Sequence, residues 1–226
     1  MFEGFSQSAI DFLWGLKFNN ERSWFLEHKG EFLELVDGPM KELARQVYAV
    51  MDEEFPELQL QMKVSRIYRD ARRLHGSGPY KDHLWFSMRK PGDKDGAIPC
   101  LFFEIAPTYY SCGVGCYDPK PVTMAKLRAR IDRDPKPLAK LCRMLKKHPE
   151  FQMEGQQYKR PKGDVGELLN PWYNSRHITV ARTENCEGIL FTPELVDQIL
   201  EDFRVLAPIY AYLRQLPSDP VPEGYN

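Results

Sequence analysis

The chain has 226 residues, 42% of them hydrophobic and 28% charged, with a formal net charge of -1 at pH 7. That length suits one large globular domain with a sizeable core, and the near-neutral balance argues against a dedicated nucleic-acid protein, which usually has a strongly basic balance. No stretch approaches the ~20 apolar residues of a membrane helix, and five cysteines without paired spacing point to reduced thiols in a cytoplasm. Glu3 and Asp11 interrupt the opening apolar residues with no basic segment before them, the pattern of neither a secretory signal nor a transit peptide.

In chain order, the first part reads as helical. Ser6 suits the N-cap of a helix to Leu16, with Ile10, Leu13 and Trp14 at helical spacing. Asn20 caps a second helix carrying Trp24, Phe25, Phe32, Leu33 and Val36, and the Asn19-Asn20 pair is read as linker and cap. Pro39 fits the first turn of a third, whose Met40, Leu43, Ala44, Val47, Met51 and Phe55 form a continuous apolar stripe. Val64, Ile67 and Tyr68 suit a short strand, Gly76 to Pro79 an irregular loop, and His83 to Met88 a second strand. Ile98 to Ala106 and Thr108 to Cys116 read as two more around Pro107, with Gly113 and Gly115 marking a bulge or close packing.

Four strands in close succession predict an antiparallel sheet. Pro121 opens a helix to about Asp132 and Pro137 another to Lys147, apolar residues inward and cations outward. Gln156 to Asn170 is loop-like, Tyr173 to Arg182 holds a strand, and Thr192 caps a last helix to about Leu213. The expectation is an α+β fold, an antiparallel sheet with helices packed on one face. A single domain spans residues 1–215, followed by a flexible tail over 216–226.

The candidate site is concentrated between Met62 and Lys90. There Lys63, Arg66, Arg69, Arg72, Arg73, Lys81, Arg89 and Lys90 stand against two carboxylates, Asp70 and Asp82. Arginine forks match phosphate or carboxylate oxygens bidentately, and a loop between two strands leaves backbone donors free to face an anion. Glu104 is expected in the same cleft, where it would pair with an arginine or else serve as a base, pairing being favoured. A second basic loop, Lys159-Arg160-Pro161-Lys162-Gly163, adds to the field if the fold brings it alongside, and Trp85, Tyr109 and Tyr110 offer rings for stacking. Other candidates carry less. Cys112 and Cys116 on one strand would stand ~13 Å apart, too far for one metal, and His75, His83, Asp70 and Asp82 match no metal spacing.

Several blocks resemble a family of bacterial and fungal conserved hypothetical proteins, a domain of unknown function. They are Phe2 to Ser6, Asn19 to Phe25 (Asn-Asn-x-x-x-Trp-Phe), Arg66 to Arg72 (Arg-x-x-Arg-Asp-x-Arg) and Pro79-Tyr80-Lys81. Tyr109 to Gly115, Leu127-Arg128 and Lys159 to Gly163 follow in the same order. The resemblance spans roughly residues 2 to 215 and implies one domain, without an activity. One departure is plain: where the family continues Phe-Ser-x-Asp-Lys before Pro-Tyr-Lys, this chain has Arg73-Leu74-His75-Gly76-Ser77-Gly78.

Charge is unevenly spread. Lys120 to Lys147 holds a run of lysines and arginines against only Asp132 and Asp134, between two acid-rich ends. The leading expectation is therefore a phosphate-bearing or other anionic small molecule bound by Arg66, Arg69, Asp70, Arg72, Tyr80 and Lys81, with Arg128, Lys159 and Lys162. Tyr80 would be an orienting donor. The alternatives are a nucleic-acid or protein interaction module on the basic helices of 120–147, and a purely structural Arg-Asp network. Cofactor, oligomeric state and reaction are left open.

Overall fold

A computed structural model describes residues 1–70, 78–91 and 99–224. The fold is α+β, as expected, and its strands form a sheet of order β1-β2-β3-β4-β6-β5. They are β1 (Gln61–Val64), β2 (Leu84–Arg89), β3 (Cys100–Ile105), β4 (Tyr109–Cys116), β5 (Gln152–Met153) and β6 (Ile178–Asn185). β1 runs antiparallel to β2 with Val64 opposite Phe86, and β5 antiparallel to β6 with Met153 opposite Val180. Contacts group the chain into two compact units, each assembled from separate segments.

The first unit comprises Met1–Lys90, Phe102–Cys112 and Thr183–Asp202. Its aromatic core begins at the chain's first residues: Phe2 and Phe5 are buried and meet edge to face at 5.4 Å, and Phe5 stacks 6.3 Å from Phe103. Between them Gly4 has φ +104°, and the Phe5 N–H donates to the Leu190 carbonyl at 3.0 Å. A Cβ on Gly4 would lie 2.4 Å from the Phe191 carbonyl carbon, so both the left-handed backbone and the close approach require glycine. Ser6 then caps α1 (Gln7–Phe18), its hydroxyl accepting from the Ala9 N–H at 3.2 Å.

After α2 (Arg22–Glu27), the short α3 (Lys29–Glu31) runs through a π-helical turn, Phe32–Asp37, into α4 (Gly38–Glu54). The Gly38 N–H reaches back to the Leu33 carbonyl, and a Cβ on Gly38 would lie 2.8 Å from that oxygen. The wider turn shifts the helical phase. Phe32 and Val36 are buried while Leu33 is 48% exposed, and the one helix expected from Asn20 through Val36 is broken into α2, α3 and this turn. Pro39 does stand in the first turn of α4, and Met40, Leu43, Ala44, Val47 and Met51 form the buried stripe that packs on β1 and β2.

The second unit comprises Pro91–Leu101, Gly113–Arg182 and Phe203–Asn226. It holds α5 (Pro121–Arg133), α6 (Lys136–Leu145), the short α7 (Asn170–Tyr173) and the later part of α8 (Leu195–Leu213). Because α7 takes Asn170–Tyr173, the strand expected from Tyr173 starts only at Ile178. Gly115 allows close packing of the kind expected: a Cβ there would lie 2.3 Å from the Ile178 carbonyl oxygen. The residues just past 215 are tied down. Leu216–Ser218 form a 3₁₀ turn with Leu216 buried, the Lys126 ammonium donates to the Pro217 carbonyl at 2.7 Å, and Arg130 holds Asp219 at 2.6 Å. The segment expected to be a tail thus makes contacts through Asp219. Among the described residues, no helix is long and apolar enough to cross a membrane.

Replacing Gly4 with alanine is expected to lower unfolding stability by at least about 2 kcal/mol, since strained backbone and a backbone clash combine at one position. Urea denaturation checks it, with Gly30→Ala, at a helical site with open space for a Cβ where alanine is not destabilising, as the control.

Candidate anion-binding site

The site in the first unit follows from a mismatch between two chain segments. Beyond the β1–β2 ladder, the Ser65 N–H donates to the Trp85 carbonyl at 2.8 Å, and further on Tyr68 bridges Tyr80. Two residues on one side, Arg66 and Ile67, therefore stand opposite four on the other, Lys81 to Leu84. Ile67 and Leu84 turn inward and are buried and the Lys81 N–H still donates to the Ile67 carbonyl at 2.8 Å, so the two surplus residues are taken up in a bulge that runs from Lys81 to His83.

Both ends of that bulge are fastened. The Asn20 side chain pairs with Tyr80 as a neighbouring strand would, its Nδ2 donating to the Tyr80 carbonyl and its Oδ1 accepting from the Tyr80 N–H, each at 2.9 Å. Asn20 thus precedes α2 as a long-range clamp, whereas a cap was expected; Glu21 occupies the N-cap position and no side-chain cap bond forms. Gly78 belongs to the same device, since a Cβ there would lie 2.2 Å from the Asn20 Oδ1. Arg69 Nε donates to the same Tyr80 carbonyl at 2.7 Å. The Tyr80 ring is only 2% exposed, stacked 4.2 Å from Phe25 and tilted at 5.2 Å to Tyr68. Burial, and then Tyr68, push its hydroxyl above the ordinary phenol range against Arg22.

On the bulge, Lys81 is half-buried with its Nζ 4.0 Å above the Trp85 ring, and the His83 ring stacks 5.5 Å from the same tryptophan. Burial first, then the Arg69 and Arg66 guanidinium groups, bring the Lys81 pKa down to about 8, against a smaller opposing pull from Glu104. The nearby carboxylates are engaged elsewhere. Glu104 accepts from the Tyr109 hydroxyl at 2.6 Å, where pairing with an arginine was expected. Asp82 serves His83 at 3.0 Å, Lys17 at 3.8 Å and Arg69 Nη2 at 3.9 Å. Burial pushes the Asp82 carboxyl up, but the His83 and backbone hydrogen bonds with the His83 and Lys17 charges outweigh it and hold the group low. Among the described residues, Lys81 has no carboxylate within 4.0 Å.

Of the other expected residues, Arg66 and Asp70 are exposed and Arg72 lies outside the described residues. Arg128, Lys159 and Lys162 belong to the second unit. There the Lys159–Gly163 loop is pinned by Asn174, whose Oδ1 accepts from the Lys162 N–H at 2.6 Å and whose Nδ2 donates to the Gly163 carbonyl at 3.1 Å. Lys159 is exposed, and Lys162 places its Nζ 4.7 Å from the Tyr158 ring centre. The cations of 120–147 do not all point outward as expected: Arg128 and Arg130 on α5 are buried. Two shallow hollows, one against Ala139 and Leu169 and one against Phe151 and Trp172, contain none of the expected site residues. No group of three or more His, Cys, Asp or Glu among the described residues could hold a metal.

The family described as conserved hypothetical protein (DUF2461) matches residues 8–212. The chain belongs to the DUF2461 family. Among curated proteins, none matches it. In this DUF2461 member the blocks divide by physical task. Phe2 to Ser6 builds the aromatic core and caps a helix, Asn20, Gly78 and Tyr80 lock together, and Arg66, Arg69 and Lys81 supply charge around the bulge.

Asn20→Ala leaves the Tyr80 N–H without its acceptor and is expected to cost about 1–3 kcal/mol. Asn19→Ala, which removes an exposed bond to the Gly15 carbonyl, should change little. Thermal unfolding with hydrogen exchange at the Tyr80 amide checks this, and equal losses for the two variants would contradict the clamp.

Proposed function

We propose that this DUF2461 protein binds a small molecule bearing an oxyanion, a phosphate ester foremost, over the bulge of Lys81 to His83, with Arg69 and Arg66 as clamps and Trp85 as a stacking wall. The observation that carries the reading is Lys81 itself: a half-buried ammonium beside two guanidinium groups, seated on an indole, with no carboxylate in reach among the described residues. A cation–π contact satisfies the ammonium only in part. An oxyanion would supply the missing counter-charge, and the partly exposed Trp85 ring would take the attached base or sugar. Tyr80 has no direct part in this reading, because its ring is buried and its backbone N–H and carbonyl are committed to Asn20 and Arg69.

The test uses Lys81→Met, which keeps a chain of similar length over Trp85 and removes the charge. Titration calorimetry with nucleotides, sugar phosphates and inorganic phosphate is expected to show binding to the wild type and at least about tenfold weaker binding to the variant. Equal affinity would end the proposal. A structural role for the cluster predicts the opposite pattern, a less stable variant with no ligand response in either protein.

The pH dependence has a definite sign. A bound anion favours protonated Lys81, so affinity should fall as pH rises above about 8, where free Lys81 loses its proton. In the absence of ligand, the folded state binds that proton less well than the unfolded chain does. Lys81 therefore costs stability below its folded pKa, and the cost disappears as pH rises toward the ordinary lysine value of about 10.4. Calorimetry at pH 7.5 and 9, with phosphate fully dianionic at the upper value, checks the first; loss of the effect in Lys81→Met assigns it.

A further inference from the structure

Helix α5 buries two arginines two positions apart, and they are treated differently. Arg130 donates from Nε to Asp219 at 2.6 Å and from Nη1 to the Tyr212 carbonyl at 2.6 Å, with its guanidinium 4.9 Å from the Tyr212 ring centre. Arg128 is just as buried, 8% exposed, yet its Nη1 is sealed from solvent with no hydrogen-bond acceptor, and no carboxylate pairs with it among the described residues. Its guanidinium instead lies 5.6 Å from the Tyr158 ring centre. A buried arginine without an acceptor or counter-ion is among the costlier arrangements in a folded chain.

The surroundings of Arg128 are cationic and held in place. Lys162 brings a second positive charge to the same Tyr158 ring. Asn174 fixes the loop that carries both: its main-chain carbonyl takes the Tyr158 N–H at 2.9 Å and its side chain holds Lys162 and Gly163. Gly163 lets the loop lie against Tyr173, where a Cβ would come within 2.9 Å of that ring. The nearest acid on the same helix face, Asp132, accepts from the Tyr173 hydroxyl at 3.1 Å.

We infer that Arg128, Lys162 and Tyr158 form a second oxyanion site, independent of the Lys81 bulge, that takes a phosphate or carboxylate group between a buried guanidinium and an exposed ammonium. Because Nη1 is out of reach of solvent, the anion enters as the Tyr158 and Lys162 side chains swing aside, while the backbone of the loop stays fastened to Asn174. Arg128 gives the paired donors suited to two oxygens of one group, and Lys162 gives a mobile point charge that follows the ligand in.

Calorimetry with inorganic phosphate, and separately with citrate, at fixed ionic strength tests the site in wild type, Lys81→Met, Lys162→Gln and Arg128→Met. Lys162 is exposed, so its variant keeps the fold. The expected result is that Lys81→Met still binds one of the two anions and that Lys162→Gln weakens this binding by at least about tenfold. Arg128→Met, where folded, should abolish it and unfold at a higher temperature than wild type in anion-free buffer. Phosphate binding alone marks a phosphoryl site, and citrate binding alone a carboxylate site. Loss of all binding in Lys81→Met with none lost in Lys162→Gln overturns the inference and leaves the Lys81 site standing. The reverse pattern supports the inference and removes the Lys81 site. Absence of any anion response overturns both.

Discussion

The backbone of one residue, Tyr80, organises the first unit's candidate site. Its N–H and carbonyl are both taken by the Asn20 amide, and the carbonyl also takes Arg69. A side-chain amide is the one group that can offer donor and acceptor side by side as a neighbouring strand does. This closure lets two segments of unequal length stay paired, because the surplus residues leave the ladder while its ends remain satisfied. The bulge of Lys81 to His83 is thus a consequence of a fixed anchor rather than of local loop preference. The anchor also places Arg69: a guanidinium bound to a neutral carbonyl is held in position and keeps its charge.

The antiparallel sheet and the helices α1, α4, α5 and α6 were legible in the sequence because they rest on local signals. Ser6 at a cap, prolines at the starts of α4, α5 and α6, and the stripe of Met40 to Met51 all act over a few residues, and each element formed near its expected bounds. The π-helical turn at Phe32–Asp37 was not legible, since a one-residue change of phase leaves composition and approximate period intact. Nor was the clamp: Asn20 and Tyr80 lie sixty positions apart, and an asparagine before a helix carries the signature of a cap whether or not it caps. Gly78 did not give the clamp away, since a glycine before a proline already reads as part of a loop. The Tyr80 side chain misled for a related reason, since Pro-Tyr-Lys gives no alternation from which the buried face can be read.

Charge in the sequence showed where cations concentrate, but not which of them are already neutralised. Arg130 and Arg128 are indistinguishable as letters in a basic helix, and only the fold separates them. Arg130 meets a carboxylate, Asp219, and its charge is consumed internally. Arg69 and Arg128 are met chiefly by neutral groups, a carbonyl in one case and a tyrosine ring in the other, with Asp82 at 3.9 Å from Arg69 and shared with Lys17 and His83. Neutral partners fix the geometry of a cation without cancelling its charge, whereas a carboxylate does both. A chain that needed these arginines only for structure would gain by placing an acid beside each, as it does for Arg130. That it places carbonyl and aromatic partners there instead, and seats Lys81 on Trp85 in the same manner, is the physical ground on which the two proposed oxyanion sites rest.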